Sequence, residues 1–124
     1  MVHSAKEVVV YKKSFATAMA IFEVSKQFPP EEPYALTSQI RRSSRSVALN
    51  LREAWAKRRY EAHFISKLTD CDGESAETDT ALDFALACGY LSHQTHQEIT
   101  ESNEKVIRML NGMIRPPEKF ILKP

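Results

Sequence analysis

Apolar residues recur along this chain at intervals of three and four, in four separate runs. The first run is Val8, Tyr11, Phe15, Ala18, Phe22 and Ser25. The second is Leu36, Ile40, Ser44, Val47, Leu51 and Trp55. The third is Phe64, Leu68, Cys71, Thr78, Leu82 and Ala85, and the fourth is Thr95, Ile99, Val106, Leu110 and Met113. That spacing puts each run on one face of a helix. Pro29, Pro30 and Pro33 separate the first run from the second, Gly89 separates the third from the fourth, and Pro116 and Pro117 follow the last. The pattern predicts helices over 6–28, 35–57, 61–87 and 92–114 and no strand, with Ser92 as an N-cap.

Four stripes joined by short connections predict an all-α fold, an antiparallel up-down-up-down four-helix bundle. One domain accounts for residues 1–124, with the bundle over about 6–114. The first few residues and 115–124 are expected to be irregular tails. One boundary is poorly marked, because no glycine or proline lies between Ala35 and Asp72. An unbroken rod there would run to roughly 80 Å at about 1.5 Å per residue, too long for a chain of this size. A turn is therefore expected within 56–60, the segment AKRRY.

Composition narrows the function classes. The chain has 124 residues, enough for a real core, and only three glycines, at 73, 89 and 112. So few glycines argue against a phosphate-cradling loop and against hairpin-rich folds. No apolar run approaches the roughly 18 residues of a membrane span. The N-terminus lacks the long apolar region of an export signal, so a cytoplasmic location is expected. Cys71 and Cys88 are 17 residues apart on one predicted helix, about 25 Å, far beyond disulfide reach. Both are read as small buried thiols.

The formal net charge is +1, yet the charges are segregated. From Arg41 to Lys67 there are eight basic and two acidic residues, and from Leu68 to Glu104 there are nine acidic residues and no lysine or arginine. At 100° per residue, Arg41, Arg45, Arg52 and Arg59 fall within about 40° of one another, roughly 115° from the apolar face of the second helix. Arg42 and Lys57 add to this basic surface. On the third helix Asp70, Glu74 and Glu77 line one flank of the core face, and Asp72, Asp79 and Asp83 line the other. Three readings stay open. The charges are solvated faces with lateral pairs between helices; or the basic flank of one subunit meets the acidic flank of the next; or the arginines form a track for nucleic-acid phosphates. Arg41, Arg45 and Arg52 are expected beside acidic residues of the third helix, from the same subunit or its neighbour.

No catalytic constellation stands out, and the chain is read as non-enzymatic. His93 and His96 share a helical face but show no third ligand, so no metal or other cofactor is expected. Ser38, Ser43, Ser44 and Ser46 lack a nucleophile setting and suit close helix packing. Asn50 and Glu53, i and i+3 on the second helix, are read as structural polar residues.

LTSQIRRS (36–43), Asn50 and Glu53 within NLRE, CGYLS and RMLNGMI together resemble the four-helix-bundle proteins encoded in intervening sequences of bacterial 23S rRNA genes. The similarity runs from about Val8 to Ile114. The resemblance implies a cytoplasmic bacterial protein that assembles as a ring-like homopentamer and carries no catalytic residues. That family is similar in turn to the accessory protein of diversity-generating retroelements, a basic pentameric barrel that engages nucleic acid and a reverse transcriptase. Departures from the family pattern are Ala48 in place of a usual proline, Ala54 and Ala56 in place of glycines, Tyr60 in place of a serine, and Ala81 in place of a glutamine. Glu77 and Asp79 stand where the family has alternating glutamates. The missing glycines account for the unmarked end of the second helix. The expected function is a homo-oligomeric scaffold or adaptor with an RNA, DNA or protein partner and no membrane. The alternative is direct nucleic-acid binding through Arg41, Arg42, Arg45, Arg52, Lys57 and Arg59.

Overall fold

A computed structural model describes residues 5–115 and residue 120, with side chains from Val9 onward. The helices are α1 (Ala5–Ser25), α2 (Leu36–Ala56), α3 (Glu61–Ala87) and α4 (His93–Ile114), and the described residues hold no strand. Each helix packs on its two neighbours in the order α1–α2–α3–α4 and back to α1. This is the expected four-helix bundle. Its core has two apolar clusters, one around Leu51, Phe64, Leu68 and Leu110, the other around Ile21, Ile40, Leu82 and Ile99.

The stripes of α2 and α3 face this core along their whole length: every residue predicted for them is buried. On α4, Ile99, Val106, Leu110 and Met113 are buried and Thr95 is half-buried. The Ser92 hydroxyl accepts a hydrogen bond from the Thr95 N–H at 3.1 Å, the expected N-cap.

α1 is rotated from its predicted phase. Its buried face is Val10, Ser14, Thr17, Ala18, Ile21 and Ser25, whereas Phe15 is exposed and Tyr11 and Phe22 are half-buried. The predicted Val8 side chain lies outside the described ones. The physical reason is that α1 has apolar residues on both faces, and its hydroxyls can be buried at low cost. Ser14, Thr17 and Ser25 each donate to a carbonyl of the preceding turn, at 2.9, 2.8 and 2.9 Å. Thr17 also bonds Ser102 of α4 at 2.6 Å. Small satisfied side chains let α1 sit close to α2 and α4, and the bulky apolar ones are left outside. α1 also stops at Ser25, short of the predicted 28; residues 26–28 continue as tighter turns, with the Phe28 N–H on the Ser25 carbonyl at 3.1 Å. Pro29 follows, which restricts Phe28 to non-helical backbone.

The turn between α2 and α3 falls at 57–60, as expected. It is made without glycine, and no non-glycine among the described residues has positive φ. The Lys57 N–H bonds the Glu53 and Ala54 carbonyls. The Arg58 Nε donates to the Trp55 carbonyl at 2.8 Å, and its guanidinium lies 3.9 Å from the Trp55 ring centroid. A basic side chain thus closes the carbonyl end of α2. α3 ends with Gly89 at φ 78°, the Tyr90 N–H on the Ala85 carbonyl and the Gly89 N–H on the Leu86 carbonyl. That left-handed position is the one place where glycine is needed.

One expectation, that both thiols are buried, is corrected. Cys71 is buried, with burial first and Asp70 second pushing its thiol up to about 12, but Cys88 is exposed at the C-cap of α3. In the tail expected to be irregular, Phe120 is buried with its ring 6.4 Å from Phe64. Residues 1–4, 116–119 and 121–124 lie outside the described ones. No helix among the described residues is long and apolar enough to cross a membrane.

Candidate functional site

α2 sends its arginines in two directions, because residues 41, 45, 48 and 52 face α1 while 42, 46 and 53 face α3. On the α3 side, Arg42 reaches Glu74 at 2.8 Å and also Glu77. The Asn50 amide donates to Ser46 and accepts from Lys67 at 3.5 Å, and Lys67 pairs with Glu53 at 3.1 Å and Asp70 at 3.7 Å. Asn50 and Glu53 therefore converge on one lysine of α3. Arg42 is raised further above its usual range by these carboxylates, and Lys67 by Glu53 first. Burial alone would raise Glu74, but the Ser46 hydroxyl and the Arg42 guanidinium outweigh it and hold its carboxyl below the usual range.

On the α1 side the arrangement is different. The Arg41 Nε donates to Ser25 Oγ at 2.7 Å. Arg41 and Arg45 stand 4.9 and 5.5 Å from the Phe22 ring centroid, and Arg52 stands 5.8 Å from that of Tyr11. Among the described residues no carboxylate pairs with Arg41, Arg45 or Arg52. Within one chain, then, the expected contact of these three with acidic residues of α3 is not made: they lie over the rings of α1. The cause is their phase, which turns them toward α1. Lys57 and Arg59 are exposed, and Arg59 leaves the predicted stripe because α2 ends at Ala56.

Between the two helices runs an apolar groove of about 360 Å³, walled by Tyr11, Phe15, Met19, Ala48 and Leu49 and rimmed by Arg45 and Arg52. Phe15 is 52% exposed, Met19 44% and Leu49 64%. The sequence reading missed this groove. It placed Phe15 on the core stripe and passed over Leu49, a leucine off the apolar stripe of an otherwise amphipathic helix. That displacement was the available signal.

At the α3/α4 seam His96 Nε2 lies 2.8 Å from Asp83. The Asn103 amide donates to the buried Ser75 carbonyl at 3.0 Å. Asp79 sits beside Asp83 and Glu104; burial first and then those two carboxylates raise its carboxyl, while His96 opposes them. The five predicted acidic residues thus divide: Asp70, Glu74 and Glu77 work on the α2 side, Asp79 and Asp83 on the α4 side. Among the described residues these carboxylates are split between two seams and are not gathered with a nucleophile and a base at one site.

Comparison with known proteins gives a family and solved structures of the same fold. The model of the 23S rRNA-intervening sequence protein family matches residues 6–112. A crystal structure of a protein of unknown function from the S23 ribosomal protein family of Bacteroides thetaiotaomicron VPI-5482 superimposes with a TM-score of 0.80 at 28% identity, covering 89% of this chain and 98% of that one. No curated protein matches. Neither description names an enzymatic activity.

The α2/α3 ladder generates a pH prediction. The folded pKa of Glu74 lies below its unfolded value, so its contribution is present above the unfolded pKa, about 4.3, and is lost as pH falls through the folded one. Glu74→Gln is expected to lower urea stability at pH 7 by up to about 1 kcal/mol. The gap should shrink as the pH falls below about 4. Urea midpoints at fixed protein concentration across pH 3–7 check this; a gap that is constant or widens in acid contradicts it.

Proposed function

Because the chain belongs to the 23S rRNA-intervening sequence protein family, we propose that it works as a non-enzymatic, cytoplasmic, homo-oligomeric scaffold or adaptor built as a ring of five copies. The observation that carries the reading is the open groove of Phe15, Met19 and Leu49 on the α1/α2 face. Three large apolar side chains around one groove are a surface that gains by being covered. Burying each fully is worth about 1.5–3 kcal/mol, against about 0–1 kcal/mol for each exposed ion pair. Apolar contact therefore supplies most of the affinity, and the arginine rim sets register and partner choice. The number five rests on the family resemblance.

A second reading has one observation in its favour. Arg41, Arg45 and Arg52 keep their guanidinium groups over α1 rings without a carboxylate partner, leaving donors for phosphate oxygens. On this reading the chain binds RNA or DNA, like the retroelement accessory protein. Arg42, tied to Glu74 and Glu77, drops out of the contact set.

Light scattering of the purified chain at micromolar concentration tests the first reading. A chain of 14.1 kDa is expected at about 70 kDa; a mass near 14 kDa ends the oligomer and one near 28 kDa ends the ring. Raising salt to 1 M should change that mass little, since screening acts on the rim and not on the groove.

Filter binding at several salt concentrations tests the second reading. Five remaining cations, Arg41, Arg45, Arg52, Lys57 and Arg59, should give a log–log slope near −4.5 on duplex DNA or about −3.5 on single strands. Arg45→Ala with Arg52→Ala should make that slope shallower by about 2. Retention that is absent, or independent of salt, removes the reading.

A further inference from the structure

α1 and α3 each present an outward face that no other helix of the chain covers. On α1 that face is apolar and continues into the groove with α2. On α3 it is the row Ser66, Thr69, Gly73, Ala76, Thr80 and Phe84, all exposed and all uncharged. The row is small along its length and ends in one large side chain, Phe84, 60% exposed. Acidic residues flank it on both sides, Asp70, Glu74 and Glu77 toward α2 and Asp72, Asp79 and Asp83 toward α4.

The two faces are complementary in three respects. Small residues allow a helix to approach another surface closely, and the α1/α2 groove is a concave apolar surface. Phe84 is a single bulky apolar side chain, and the groove is an apolar recess of about 360 Å³. The groove is rimmed by Arg45 and Arg52 without carboxylate partners among the described residues, and the α3 row is bordered by carboxylates with no lysine or arginine from Leu68 to the end of the helix. Opposite rims on matching apolar centres fix partner and register.

We infer that the groove between α1 and α2 is the docking site for the outward face of α3 of a second copy of this chain, with Phe84 entering the recess and the Arg45–Arg52 rim meeting the acidic border of α3. The inference rests on the oligomeric reading above and names the two surfaces that join. A nucleic acid fits the groove less well, because its centre is apolar and the cations stand only along one rim. Phe120, the one described residue beyond Arg115, packs inside on Phe64 and not on the groove.

The joined surfaces are different, so assembly is head-to-tail. In a square bundle with the order α1–α2–α3–α4, the α1/α2 face and the α3 edge point about 90–135° apart, according to how far the α3 contact leans toward α2. Surfaces at such an angle close into a ring only where the contact carries no net rise along the ring axis, so the copies must tilt against that axis to bring Phe84, near the end of α3, level with the groove.

The test uses two exposed positions, so that neither substitution disturbs the bundle core, and far-UV circular dichroism verifies the fold of each variant. Phe15→Glu spoils the groove and leaves the α3 face intact. Phe84→Glu spoils the α3 face and leaves the groove intact. Each alone is expected to be a monomer of about 14 kDa by light scattering. An equimolar mixture, at ten times the concentration at which the unaltered chain assembles, retains one good interface and is expected to form a heterodimer of about 28 kDa that grows no further. If the unaltered chain is itself monomeric, the oligomeric reading fails. If the unaltered chain assembles and Phe84→Glu assembles equally well, or if the two monomers do not combine, the oligomer stands and this pairing of surfaces is wrong.

Discussion

The organisation of the molecule depends on how α1 divides its two faces. It has enough apolar residues for both, and the bundle takes only one. The buried face is the one with Ser14, Thr17 and Ser25, each bonded back to its own helix, so burial leaves no hydroxyl unsatisfied. The face left outside carries Val9, Phe15 and Met19. Exchanging the two would bury larger side chains but force α1 away from α2 and α4, breaking the Thr17–Ser102 contact and the Arg41–Ser25 bond. From that one choice follow the groove, the position of the arginines over the rings of α1, and the unused apolar area.

α2 is the hinge of the charge pattern. Arg42 and Arg45 are three residues apart yet serve opposite seams. Arg42 is consumed inside the chain by Glu74 and Glu77, while Arg45 remains on the rim of the groove. A near-neutral chain thus presents a basic rim and an acidic flank at different corners of the bundle. Exposed charges of this kind add little stability to the single chain. In the proposed head-to-tail contact they would discriminate a correct register from a slipped one, because a slip would set carboxylate against carboxylate.

Most of the fold was legible in the sequence because α2 and α4 are plainly two-faced, and because Gly89 and Pro29–Pro30 mark ends with known backbone demands. The turn at 57–60 was placed by chain length alone; its actual device, Arg58 over Trp55 and on its carbonyl, depends on a contact no local pattern announces. The phase of α1 was not legible. Tyr11, Phe15 and Phe22 form as good a stripe as Val10, Ser14, Thr17 and Ile21, and hydrophobicity ranks the wrong one first. What decides is close packing of small hydroxyl residues, which appears only when α4 is in place and Ser102 can bond the Thr17 hydroxyl. The candidate site suffered for the same reason: Phe15 was spent on the core, so the groove had no visible wall. The arginines were found, but the helix they face was inferred from charge complementarity, and within the chain only Arg42 meets the carboxylates of α3, while Arg41, Arg45 and Arg52 turn toward α1.

The central claim is that a second copy of the chain covers the α1/α2 groove in solution. Met19 reports on it directly, because its thioether is 44% exposed in the single chain and oxidises readily when water reaches it, while Met113 is fully buried and serves as an internal reference. Oxidation of both, read by mass spectrometry across a dilution series, measures coverage at the residue itself. The account predicts that Met19 reacts almost as slowly as Met113 where light scattering shows assembly, and many times faster once dilution yields monomer. Fast oxidation of Met19 at every concentration, with the assembled mass intact, would contradict it.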